Sequence, residues 1–102
     1  MSYEVYDAAA APDGEEAAWQ VVVEYSNKGE AKPSTLLDVL PQTYGDVEAA
    51  EAAALEVART FSPPDPWSPQ GRTVFRESAG FLTQVRGATK TFHFSTRVVR
   101  RV

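Results

Sequence analysis

Hydrophobic and polar positions alternate most clearly in AAWQVVVEYS, residues 17–26. Trp19, Val21, Val23 and Tyr25 fall on one side of an extended chain, and Gln20, Val22 and Glu24 on the other. The spacing predicts a strand with the Trp19 side turned inward. A shorter alternation in SYEVYDA, with Tyr3, Val5 and Asp7 against Glu4 and Tyr6, predicts an edge strand. APDGEE at 11–16 is a turn cluster, because Pro12 presets φ for the first turn position and Gly14 accepts positive φ. These two runs are expected to form a hairpin.

The period changes to that of a helix in GDVEAAEAAALEVARTF. Val47, Ala50, Ala54, Val57, Ala58 and Phe61 form an apolar stripe, while Glu48, Glu51, Glu56 and Arg59 face water. Asp46 is the expected N-cap, Glu48 sits near the positive end of the dipole, and Pro63 with Pro64 ends the helix. The alanines let it lie close to a sheet. Ahead of it, STLLDVL reads as one short helical turn capped by Ser34 and stopped by Pro41, with Leu36, Leu37 and Leu40 plugging an end of the core. The preceding NKGEAKPS reads as loop.

Prolines 63, 64, 66 and 69 make SPPDPWSPQG an extended connector. Three β-rich runs follow, RTVFRE at 72–77, GFLTQVR at 80–86 and KTFHFSTRVVRRV at 90–102, joined by compact hairpin connections. In the last run Phe92, Phe94, Thr96 and Val98 belong in the core, with His93, Ser95, Arg97, Val99 and Arg101 on the other face. The expected fold is one α+β domain over residues 1–102. It has two layers, an antiparallel sheet of about five strands with one long helix on one face, in the order β-β-α-β-β-β. A single helix covers one sheet face and leaves the other to water, loops or a partner.

The chain has 102 residues, which suits one domain with one modest core. It contains no cysteine, which removes disulfides, thiolate metal sites and cysteine nucleophiles, and one histidine, which removes a multi-histidine metal site. No metal or cofactor is expected. The acidic beginning has no apolar run of signal length, and no stretch approaches the ~20 apolar residues of a membrane span, so a cytoplasmic protein without membrane contact is expected.

Charge is uneven along the chain: residues 1–58 carry −10 and residues 59–102 carry +6, for a net −4. Two halves that neutralise each other, with an acidic helix lying across a basic sheet, account for this more simply than an anionic partner.

Few residues carry chemistry. His93, the one imidazole, suits proton transfer or pH sensing, yet its strand position supplies no carboxylate partner and reads more simply as solvent-facing. No serine elbow, phosphate cradle or metal spacing occurs, and the paired glutamates look like a solvated face. The basic C-terminal strand, with Arg97, Arg100 and Arg101 near Phe92 and Phe94, has the residue types of a single-stranded nucleic-acid reader. Alternation, however, sends rings and Arg97 to opposite faces. Trp67 is either a recognition element or, in the favoured reading, a lid folded back on the helix end or sheet edge.

The leading expectation is a small non-enzymatic domain that binds a protein partner, or a second copy of itself, through its sheet. Its candidate binding residues are His93, Arg97, Arg100, Arg101 and Trp67. Nucleic-acid binding by the basic strands and a small-molecule pocket between helix and sheet are the alternatives.

Overall fold

The computed structural model describes residues 18–102. The strand expected at 3–7 and the turn at 11–16 lie outside the described residues. Strands β1 (Trp19–Ser26), β2 (Thr35–Val39), β3 (Gly71–Glu77), β4 (Gly80–Arg86) and β5 (Thr91–Arg100) form one sheet, with helix α1 (Val47–Thr60) between β2 and β3. The spatial order is β2-β1-β5-β4-β3, and every neighbouring pair is antiparallel. The α+β class and the order β-β-α-β-β-β are as the sequence predicts.

One element differs. Residues 35–39 form strand β2, not a helical turn, and pair with β1 from Ser26↔Thr35 to Val22↔Val39. A lone helical turn leaves most of its backbone donors and acceptors unmet, whereas the free edge of β1 meets them with a ladder. The first described hairpin is therefore β1–β2. Its loop is closed by the Asn27 amide donating to the Ser34 carbonyl at 2.8 Å, with Gly29 at φ 55° supplying the left-handed turn residue. Leu37, expected to plug the core, instead points away from the helix and is 54% exposed.

Helix α1 begins as expected, with Asp46 Oδ1 accepting from the Ala49 amide at 2.7 Å. Ala50, Ala54 and Ala58 recur every four residues and are fully buried against Val21, Phe81 and Val98. Their small side chains bring the helix backbone within reach of the sheet. Thr96 Oγ1 donates to the Ala54 carbonyl and Thr83 Oγ1 to the Ala58 carbonyl, each at 3.2 Å, so two buried hydroxyls find acceptors on the helix. A second core group joins Val23, Val85 and Phe94 under Phe61, whose ring centroid lies 5.1 Å from that of Phe94.

The helix C-terminus is held from β3. Arg72 donates through Nη1 to the Ala58 carbonyl and through Nη2 to the Phe61 carbonyl, both at 2.9 Å, placing a cation at the negative end of the dipole. The contact of sheet cation and helix is therefore with backbone carbonyls and not with the helix glutamates. Among the described residues the one ion pair joins Arg97 to Glu24, and no helix glutamate is in it.

Candidate functional site

The helix packs on Trp19, Val21, Val23, Phe94, Thr96, Val98, Phe81, Thr83 and Val85, and strand alternation therefore turns the intervening residues to the other face. Register sets these into rows that cross all five strands. One row runs Leu37, Glu24, Ser95, Leu82, Phe75, and the next runs Val39, Val22, Arg97, Gly80, Glu77. The well-exposed apolar members lie on the two edge strands, whereas Val22 on β1 is 4% exposed and Leu82 on β4 is partly buried. On β2, Leu37 is 54% and Val39 55% exposed, and on β3 Phe75 is 48% exposed.

Polar residues occupy the centre. Arg97 Nη1 donates to Glu24 Oε1 at 2.8 Å and to Ser95 Oγ at 3.3 Å. Around this pair lies a shallow depression of about 370 Å³, lined by Glu24, Thr35, Glu77, Leu82, His93 and Arg97. It is an open surface with charged and hydroxyl groups.

The sequence-expected residues do not converge. Arg97 lies at the centre of the open face, and His93 lies on the same face, exposed and in no hydrogen bond among the described residues. A general base needs a positioned partner or cavity, and His93 has the sheet between it and the helix. The hollow on the helix side, about 240 Å³ lined by Val21, Leu40, Tyr44, Ala53, Glu56 and Val57, holds no imidazole. This corrects the expectation that His93 might serve a pocket between helix and sheet.

Arg100 belongs to the opposite face, its guanidinium carbon 5.0 Å from the centroid of the Trp19 ring. Arg101 follows β5 and is exposed beside Gln20, Pro41 and Thr43. Phe94 is buried under Phe61, so its ring and the Arg97 guanidinium stand on opposite sides of the sheet, as alternation requires.

Trp67 is 89% exposed and covers neither the helix end nor a sheet edge, which corrects the expected lid. The connector is pinned at both sides of it. Pro66 packs against Gly87 so closely that a Cβ added there would lie 2.8 Å from the Pro66 Cβ, and the Gln70 amide donates to the Arg86 carbonyl at 2.7 Å. These contacts leave the indole projecting at the end of the sheet near the β4–β5 hairpin.

On the helix side of the β1–β2 edge, Tyr25 Oη donates to Asp38 Oδ2 at 3.0 Å. The hydrogen bond to this carboxylate, with partial burial and the negative charge nearby, holds the phenol above its usual range.

Residues 35–39 are the part of the open face that sequence reasoning missed. The available signal was the alternation of Thr35, Leu37 and Val39 with Leu36 and Asp38. Among the described residues no helix is long and apolar enough to cross a membrane, and no group of three or more His, Cys, Asp or Glu is placed to hold a metal ion. No protein-family model matches the chain, and neither a curated protein nor a solved structure matches it.

Proposed function

We propose that this chain is a non-enzymatic protein-binding module whose contact surface is the sheet face opposite the helix. The observation that carries this reading is the pair of half-exposed apolar edges, Leu37 with Val39 on β2 and Phe75 on β3, on either side of the central Glu24–Arg97 ion pair. Complete burial of a side chain of this size is worth roughly 1.5–3 kcal/mol, so a protein surface laid over both edges gains from each. The central charges then fix register and reject mismatched partners, which is their usual contribution at an interface.

The nucleic-acid reading has less support. Arg72 is committed to helix carbonyls, Arg97 to Glu24 and Arg100 to Trp19, while Phe94 is buried. A gel shift with single-stranded DNA or RNA at low salt is expected to show no retardation.

The test of the proposed surface is a comparison of the wild-type chain with Leu37→Asp/Phe75→Asp. Wild type is expected to co-purify from its native cells with a defined protein at fixed stoichiometry, or to self-associate by light scattering at micromolar concentration. The double variant is expected to lose that association while keeping its thermal midpoint. A wild-type chain that remains a solitary monomer in both assays, or a variant that retains its partner, contradicts the proposal.

A further inference from the structure

A second surface lies at the end of the sheet, apart from the face just described. Trp67 projects from the connector with its side chain almost wholly in water, and a hollow lies on each side of it. The first, about 240 Å³, is lined by Asp65, Pro66, Trp67, Lys90 and Phe92. The second, about 280 Å³, is lined by Pro63, Pro64, Trp67, Pro69, Arg72 and Val85. Both are below the ~300–1,000 Å³ of small-molecule sites and are of a size for one large side chain.

From this geometry we infer that the connector is a two-fold contact between two copies of the chain, in which Trp67 of each copy enters the Asp65–Lys90 hollow of the other. A knob and a hole that adjoin on one surface are what an isologous contact requires, because rotation about an axis between them delivers each knob to the other hole. The charges agree with that operation. Asp65 and Lys90 line the same hollow, and among the described residues neither is in an ion pair. A two-fold axis passing midway between them sets Asp65 of each copy toward Lys90 of the other, twice, with no like-charge meeting of these two residues. Asp65 Oδ2 already accepts from the Gly29 amide at 3.3 Å, a long bond that leaves the second carboxylate oxygen for the other copy.

The contact is weak. Two indoles bury about 300–500 Å² when each contributes its usual 150–250 Å², and the surrounding prolines and hairpins must supply the rest of the ~1,200 Å² that stable pairs bury. Association is therefore expected only at high protein concentration, as for small transient interfaces.

Sedimentation velocity of the full chain over a wide concentration series tests this. Wild type is expected to pass from monomer to dimer across that range. Trp67→Ala is expected to raise the dissociation constant about tenfold or more, as loss of a central aromatic anchor does, without change in the circular dichroism spectrum. Asp65→Lys and Lys90→Asp, each studied alone, face like charges in their own pairs and are expected to stay monomeric. Mixed in equal amounts they present opposite charges at both contacts and are expected to associate as wild type does. Leu37→Asp/Phe75→Asp is expected to retain this dimer, which separates it from binding through the sheet face. A wild-type chain monomeric throughout overturns the inference, as does unchanged association in Trp67→Ala or a charge-swapped mixture no tighter than its components.

Discussion

The two faces of the sheet solve different problems with the same strands. On the helix side, Ala50, Ala54 and Ala58 bring two backbones so close that Thr83 and Thr96 bond helix carbonyls, and Phe94 is enclosed by Phe61 and Val85. On the other side the same alternation presents Leu37, Val39 and Phe75 at the edges and an ion pair in the middle, with no covering element among the described residues. The difference teaches where stability and function part company: the first face has the burial that holds the fold, and the second has apolar surface left for something else to bury.

Substitutions on the two faces are expected to separate accordingly. The largest effect belongs to Phe94→Ala, which empties the space beneath Phe61 and is expected to cost about 3–5 kcal/mol in denaturant unfolding. Ala54→Leu comes next. It inserts volume where the helix sits closest to Thr96 and is expected to cost about 1–3 kcal/mol and to loosen the Thr96 hydroxyl bond, read as faster amide exchange in α1. Leu37→Asp/Phe75→Asp is expected to change stability by less than about 1 kcal/mol, since both side chains are half in water, while removing association through the sheet.

The smallest effect is present at neutral pH and is lost at alkaline pH. The neutral Tyr25 phenol donates to Asp38, and its folded value lies above the ordinary 10.0. Its stabilisation is therefore complete below pH 10.0 and is lost as pH rises through the raised value. Tyr25→Phe is expected to be slightly less stable at neutral pH and to show a flatter loss of stability above pH 10.0, measured by urea midpoints across that range. An unaltered alkaline slope in the variant would remove Tyr25 from the account.

Much of the helix face was legible in the sequence because period and composition agreed there. The stripe from Val47 to Phe61 has helical spacing and an Asp46 cap, and Phe94, Thr96 and Val98 alternate without interruption, so each could be assigned a side before any contact was known. Strand β2 was not legible, because five residues set between Pro33 and Pro41 fit a turn as well as a strand until the free edge of β1 decides between them. That one reassignment changes the open face, since it moves Leu37 from core to surface and adds Val39 beside it. Trp67 escaped for a different reason. Whether an aromatic ring in a proline-rich connector folds inward depends on where Pro66 and Gln70 are pinned, and those pins come from the β4–β5 hairpin, far along the chain. Nothing in the run RTVFRE distinguishes Arg72, because its role arises only when helix packing delivers the α1 carboxyl end to it.

Hydroxyl-radical footprinting of the 102-residue chain, at a concentration where it is monomeric, tests the asymmetry of the two faces most directly. Leu37 and Phe75, each about half exposed, are expected to oxidise readily, and Phe81 and Phe94 to be strongly protected. Protection of Leu37 and Phe75 equal to that of Phe94 in the monomer would mean that the chain covers both sides of its own sheet, and would contradict the account.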